Sequence, residues 1–195
     1  MSTAPPLPAF AAVVVAAGKG LRAGQPLPKQ FAMWRGKPVL RHSVEALLAS
    51  GADPLIVAIP ENGGAAASKA LEGLAGYQLV TGGATRQQSV ARALSAIGSA
   101  DRVLIHDAAR PDLPETVIAR LLDALDDAPG AIPVLPVVDS LSRDENGLMV
   151  GTARREELRR VQTPQAFRFA DIRGAHATWE GDPVAGAEAQ GLRAA

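Results

Sequence analysis

Cysteine is absent from the 195 residues, which excludes disulfides and thiolate chemistry. Charge of one sign is lacking too: 20 Lys and Arg balance 20 Asp and Glu. No global positive field is available to hold nucleic acid, so cationic work has to be local. No run reaches the roughly 20 apolar residues needed to span a bilayer, so no membrane partner is expected. The opening MSTAPPLPAF has neither a basic n-region nor a long apolar segment and does not read as a signal peptide. The expected compartment is the cytoplasm. What is present fits a globular chain, with 47% hydrophobic and 21% charged residues. The length suits one compact α/β domain with a sizeable core.

Short apolar runs alternate with helical patterns. Residues 11–16, 55–59, 77–80, 102–106 and 131–135 read as buried parallel strands, being short and bounded by turn residues. Pro38 can open a helix with Leu40, Val44, Leu47 and Leu48 on one face. Thr85 and Gln88 form a T-x-x-Q capping box ahead of Val90, Leu94 and Ile97. Val117, Ile118, Leu121, Leu122 and Leu125 make a third stripe. This order predicts a Rossmann-like, open, mostly parallel sheet with helices on both faces. Ligands of such sheets bind outside the carboxyl ends of the strands, and the chemistry-bearing loops do follow strands. Residues 137–162 break the pattern. They are polar, carry Arg143, Arg154, Arg155, Arg159 and Arg160, and read as a hairpin arm leaving the domain.

The first loop holds Gly18-Lys19-Gly20-Leu21-Arg22-Ala23, a G-x-G-x-x-A match after a strand, and then Lys29. Only four lysines exist in the chain, and two lie here. A dinucleotide fingerprint wants an acidic residue roughly 20 positions on. Here Glu61 comes 43 residues after Gly18, so a nicotinamide dehydrogenase is a distant alternative. The P-loop pattern fails because no G-K-[ST] follows. What remains is a glycine loop whose N–H groups and cations suit phosphates, against the plainer alternative of a solvated basic turn. The second site is Asp107 and Arg110 in H-D-A-A-R-P. A carboxylate there can hold a hydroxyl or a metal and a guanidinium can fork a phosphate, or the two can simply pair to close the loop. His106 reads as a satisfied strand-end histidine, since no second His sits at metal-ligand spacing; His42 and His176 are isolated. In the third, Gly82-Gly83-Ala84-Thr85-Arg86-Gln87-Gln88-Ser89, glycines at a helix start allow close approach of a ring or phosphate, and Ser89 can read a base edge. A well-capped helix explains the same residues without a ligand. Arg159 and Arg160 read as a solvated face.

Taken in order, A-A-G-x-G-x-R, P-K-Q-F, G-G-x-x-R-x-x-S-V, H-D-A-A-R-P and T-P-Q-x-F are specific. From about Ala11 onward the chain resembles the 2-C-methyl-D-erythritol 4-phosphate cytidylyltransferase family of the non-mevalonate isoprenoid pathway. The resemblance implies attack of the methylerythritol phosphate on the α-phosphorus of CTP, with loss of pyrophosphate. It implies Arg22 and Lys29 as the groups that stabilise the transition state. Cytosine recognition falls to Ala16, Ala17, Gly83 and Ser89, with Gly18 also in the nucleotide site, and polyol phosphate binding to Asp107, Arg110, Ser140 and Arg155. Mg²⁺ is the expected cofactor, held largely by the CTP phosphates, with no dedicated protein metal site. The family's arm swaps across a homodimer, so Ser140 and Arg155 are expected to serve the partner's site.

The chain departs from the family pattern at several positions. Ala84 stands where an acidic residue is common, Ser140 where Thr is common, and Ser142 where Lys is usual. Gly181-Asp182-Pro183-Val184 replaces T-D-[DE]-A. The expectation is a single domain over 1–195 that lacks the family's terminal strand and its N-x-K-x-T motif. Two alternatives stand beside the main one: a ribitol 5-phosphate cytidylyltransferase, and a catalytically impaired nucleotide-binding protein.

Overall fold

The computed structural model of the chain describes residues 6–18, 28–178 and 193–194. In chain order the elements begin with β1 (Ala11–Val15), a 3₁₀ turn at Lys29–Phe31, and a small hairpin of β2 (Met33–Trp34) and β3 (Lys37–Pro38). Helix α1 (Val39–Ala49), β4 (Leu55–Ile59), α2 (Gly64–Ala70), β5 (Tyr77–Thr81), α3 (Arg86–Ala96), β6 (Arg102–Asp107) and α4 (Glu115–Ala124) follow. Then come β7 (Gly130–Ile132), β8 (Val134–Pro136), β9 (Ser142–Glu145), β10 (Leu148–Thr152), a 3₁₀ turn at Arg155–Glu157, β11 (Arg159–Val161), β12 (Gln165–Arg168), α5 (Phe169–Thr178) and β13 (Arg193–Ala194).

Seven strands form one sheet in the order β13-β7-β12-β6-β1-β4-β5. The run β5-β4-β1-β6 is parallel, and β12 lies antiparallel between β6 and β7. The sheet is therefore mixed but mostly parallel, as the alternating pattern predicts. Period-2 alternation sends successive side chains to opposite faces. Ala12, Val14, Leu55, Val57 and Leu104 join one core cluster; Ala11, Val13, Ile56, Ala58, Val103 and Ile105 join the other. Helices cover both faces. Leu40, Val44 and Leu47 of α1 and Ile118, Leu121 and Leu122 of α4 pack into the first cluster. Val90, Ala93 and Leu94 of α3 with Phe169 and Ile172 of α5 pack into the second. Each fully buried Leu or Ile stabilises by about 1.5–3 kcal/mol before ordering costs.

The structure differs from the sequence expectation in three places. The run 131–135 is two strands, because Pro133 cannot donate to a ladder. Before it, β7 stays in the main sheet; after it, β8 leaves and pairs with β11 to form the base of the arm. The second difference is a strand, β12, and a helix, α5, where only the T-P-Q-x-F motif stood out. Lastly, Arg193–Ala194 pairs in parallel with Ala131–Ile132, at an edge where no C-terminal strand was expected.

The arm is a hairpin of β9 and β10. Asn146 and Gly147 join the strands, both with positive φ (55° and 84°), as a two-residue primed turn requires. It is less polar than its arginines suggest. Val138, Leu141, Leu148, Met149, Val150 and Leu158 are all exposed, Met149 to 82%. Among the described residues no helix is long and apolar enough to cross a membrane.

Candidate active site

Three strand ends converge on one cavity of about 440 Å³. Its walls are Val15, Ala16, Ala17 and Gly18 after β1, Gly83, Ala84, Thr85, Arg86 and Ser89 at the β5–α3 junction, Asp107 and Ala109 after β6, and Gln30. This is the position the topology favours. From β1 the chain steps to β4 on one side, and after β5 it crosses to β6 on the other, so the crevice opens at a switch point.

The first wall is held by its own chain. The Ala16 N–H donates to the Ala58 carbonyl at 2.8 Å, and the Ala108 N–H donates to the Val15 carbonyl at 3.1 Å. The Gln30 amide donates to the Ala16 carbonyl at 2.6 Å and to the Gly18 carbonyl at 2.9 Å. Lys29 is exposed, one residue from Gln30 in the 3₁₀ turn, and is not itself a lining residue. Arg22 and Lys19 lie outside the described residues.

The second wall depends on two glycines. A Cβ at Gly82 would stand 2.4 Å from the Ala17 Cβ, and one at Gly83 would stand 2.3 Å from the Gln88 Cβ. Only glycine lets the two loops approach this closely at position 82 and the turn fold this tightly onto α3 at position 83. Thr85 caps α3, its hydroxyl accepting from the Gln88 N–H at 3.1 Å. The Gln88 side chain answers by accepting from the Ala84 N–H at 2.9 Å, a capping box shifted by one residue. Ser89 is 1% exposed. Its hydroxyl donates to the Thr85 carbonyl at 2.9 Å and accepts from the Gly83 N–H at 3.0 Å. Ser89 therefore first builds the glycine turn, and keeps one lone pair for any further donor.

Charge collects on the third wall. The Arg86 Nε donates to the Asp107 Oδ1 at 3.0 Å, and the Arg110 Nε stands 3.6 Å from Oδ2. The Arg110 guanidinium also donates to the Gln162 side-chain carbonyl. The structural pairing of Asp107 and Arg110 is thus real, but Asp107 is shared with a second guanidinium on the opposing loop. Beneath it lies His106, 0% exposed. Its Nε2 meets the Arg110 carbonyl at 2.9 Å and its Nδ1 meets the Thr163 hydroxyl at 3.1 Å. The Asp107 N–H donates to the same hydroxyl at 3.1 Å. Burial pushes the His106 pKa down to about 4, against weaker raising effects of its hydrogen bonds and of Asp107. His106 is neutral at pH 7: a satisfied histidine, as the sequence suggests, that ties the β6 loop to the segment before β12.

The arm residues stand apart. Ser140 and Arg155 are exposed and line no part of this cavity. The Arg155 Nη1 donates to the Val138 carbonyl at 3.1 Å, and its Nε lies 3.6 Å from a Glu156 carboxylate oxygen. It borders a second, open hollow of about 590 Å³ with Pro136, Val137, Val138, Glu156 and Arg159. Arg159 and Arg160 are exposed, as expected of a solvated face.

Gln30, Arg86, Gln162 and Thr163 shape the site without having been singled out from the sequence. Gln30 and Arg86 sit inside the quoted motifs P-K-Q-F and G-G-x-x-R, so the signal was present. Among the described residues no group of three or more His, Asp or Glu side chains is placed to hold a metal ion.

The sequence profile of 2-C-methyl-D-erythritol 4-phosphate cytidylyltransferase, IspD, matches residues 10–192. The chain is 62% identical over 196 residues to a bifunctional enzyme IspD/IspF of Erythrobacter litoralis, with 100% of this chain matching 51% of that protein. It is 47% identical over 194 residues to a 2-C-methyl-D-erythritol 4-phosphate cytidylyltransferase of Cereibacter sphaeroides, covering 95% of this chain and 85% of that one. The crystal structure of 2-C-methyl-D-erythritol 4-phosphate cytidylyltransferase from Thermus thermophilus is similar with a TM-score of 0.75 at 35% identity, over 96% of this chain and 87% of that one. The chain spans about half the length of the bifunctional relatives it matches. A profile match over nearly the whole length, on a fold whose glycine turn and Asp107 loop meet at one cavity, establishes that the chain belongs to the 2-C-methyl-D-erythritol 4-phosphate cytidylyltransferase family.

Proposed function

We propose that the chain transfers a cytidylyl group from CTP to 2-C-methyl-D-erythritol 4-phosphate. A phosphate oxygen of the polyol attacks the α-phosphorus. The bond from that phosphorus to the α–β bridging oxygen breaks, and pyrophosphate leaves with the electron pair. Two polyanions must meet in line, so catalysis is mostly positioning and charge stabilisation. One observation carries this reading: a single cavity walled by a glycine-rich turn on one side and by Asp107 with its guanidiniums on the other.

The backbone of Ala16, Ala17, Gly18 and Gly83 faces the nucleotide in this reading. The remaining Ser89 lone pair favours a base that donates, the 4-amino edge of cytosine, over one that presents a carbonyl. Arg22 and Lys29 supply positive charge to the triphosphate. Asp107 accepts a polyol hydroxyl, and Arg110 forks the polyol phosphate. Mg²⁺ fits as an ion carried on the CTP phosphates and not as one caged by the protein. Asp107, the one carboxylate among the described lining residues, is already engaged by Arg86 and Arg110. When bound, the ion neutralises phosphate charge. A homodimer in which arms exchange completes each site with Ser140 and Arg155 of the other chain. The exposed apolar residues of the arm, otherwise left in water, support that assembly. A cytoplasmic location belongs to the same reading.

Pyrophosphate release with CTP, Mg²⁺ and methylerythritol phosphate tests the proposal. Release should require both substrates and should fall by at least tenfold with UTP, because a mismatched base edge leaves polar groups unpaired. Faster release with ribitol 5-phosphate would reassign the second substrate. No release with either polyol would leave a nucleotide-binding protein.

A further inference from the structure

Gln30 is 5% exposed, yet it is polar and borders the cavity. Both of its short contacts are to backbone carbonyls, Ala16 at 2.6 Å and Gly18 at 2.9 Å. Only the NH₂ end of an amide can serve two acceptors, so the orientation of the side chain is set by its partners. Each of its two hydrogens is therefore used. The rest of the turn is anchored as well. Phe31 is buried in the core cluster against the sheet, and the Phe31 N–H donates to the Pro28 carbonyl at 2.9 Å. On the other side, Ala16 is fixed to β4 through its own N–H. The Gln30 amide thus joins two anchored points, the end of β1 and the turn Lys29–Phe31. Residues 19–27 run between those points.

We propose that Gln30 is a positioning residue for the transfer step. Its amide clasps the Ala16 and Gly18 carbonyls, which sets the distance between the two ends of the phosphate-facing loop and aims the turn that carries Lys29. The inference rests on the cytidylyl-transfer reading. The physical reason is that an exposed lysine acts on a transition state only if its backbone is held still. A misplacement of about 1 Å can cost on the order of 10²-fold in rate. Without the clasp, Lys29 keeps its charge but loses its place. The buried Ala16 carbonyl also loses its donor.

The test uses Gln30→Met, which keeps length and volume but has no donors, and Gln30→Glu, which sets oxygens against the two carbonyls. Hydrogen exchange reads the clasp without turnover. In Gln30→Met the amides of Ala17, Gly18 and residues 29–32 should exchange at least tenfold faster, with β4 and β6 unchanged. Turnover should fall about 10–10²-fold, while the calorimetric Kd for CTP rises by less than the turnover falls. Gln30→Glu should lose more. Wild-type turnover in Gln30→Met overturns the proposal. So does exchange raised throughout the sheet with activity lost only in proportion to the unfolded fraction, because that marks a merely structural residue. If the wild-type chain itself releases no pyrophosphate, the transfer reading fails. The exchange data then decide the clasp alone, and unchanged protection of those amides in Gln30→Met overturns it.

Discussion

Gln30, Ser89 and His106 are almost wholly buried and bonded to their own domain, whereas Ser140 and Arg155 stand exposed on the arm. The difference is one of preorganisation. In the sheet domain each wall of the cavity is fixed by a hydrogen bond within the domain: Gln30 to Ala16 and Arg86 to Asp107 across loops, Gly83 to Ser89 within one turn. Folding of one chain is enough to set that geometry. The arm is tied to the domain at its base, where Gln162 accepts from Arg110. Its ion pairs, Arg143–Glu145 and Arg154–Glu157, are local and exposed. Pairs of that kind contribute only about 0–1 kcal/mol. An element that keeps Leu148 and Met149 in water needs a second surface before it can place a guanidinium accurately.

The largest expected effect comes from Lys29, which breaks the comparison from within, since it is exposed yet belongs to the domain. Lys29→Ala should lower kcat on the order of 10²–10³-fold, the usual loss for one charged donor to a transition state. CTP binding should weaken far less. If calorimetry shows weakened binding with kcat held, the lysine is only a ground-state anchor. In that case the domain loop is no better organised for catalysis than the arm.

His106 sharpens the comparison, because its protonation strikes the domain and spares the hairpin. Its pKa is lowered from 6.5 to about 4 by burial, so between those values the unfolded chain takes up a proton that the folded chain refuses. Stability from this group is full above about pH 6.5 and drains away as pH falls toward 4. Across the whole window the loss is on the order of 3 kcal/mol, and at pH 5 about 2 kcal/mol. Asp107 and Arg110, the charged groups beside the ring, act in opposite directions on it. Urea unfolding of wild type and His106→Gln at pH 7 and pH 5 gives the measurement. The wild type should lose about 2 kcal/mol more than the variant over that step. Parallel losses would mean that the imidazole is not the group being charged.

Most of the domain was legible in the sequence for one physical reason. Buried parallel strands are continuous apolar runs, and the helices that cover them repeat at 3.6 residues. Leu55–Ile59 and Arg86–Ala96 follow those rules. Helix α2 did not show itself, because GAAASKA has no bulky stripe and is only seven residues long. Strand β12 was hidden because QAFR reads as neither alternating nor continuous, and its place between β6 and β7 is a long-range fact. The arm was legible as a departure from pattern but not in its details. Asn146-Gly147 was the available signal for a tight primed turn. In the site, residues that carry charge toward a ligand stood out. Gln30 and Arg86 stood inside quoted motifs, but which carbonyl or carboxylate each one holds leaves no spacing signature; only the folded contacts reveal it.

The smallest expected effect is the most direct test of whether the two regions work together across chains. In one protomer Arg155 bonds within the arm, to Val138 and near Glu156, and does not line the cavity. If arms exchange in a twofold dimer, each site takes its loops from one chain and its arm from the other. A Lys29→Ala chain and an Arg155→Ala chain should each have little activity alone. After subunit exchange, a mixed dimer holds one doubly damaged site and one site with both groups intact. Up to about half of the sites in mixed dimers should then work, by symmetry alone. The mixture is assayed for pyrophosphate release, with exchange verified by differently tagged chains. Recovery to that level would show that Lys29 and Arg155 meet only between chains. Exchanged dimers with no recovery would place Arg155 at its own chain's cavity or at none. The apolar face of the arm would then need another explanation.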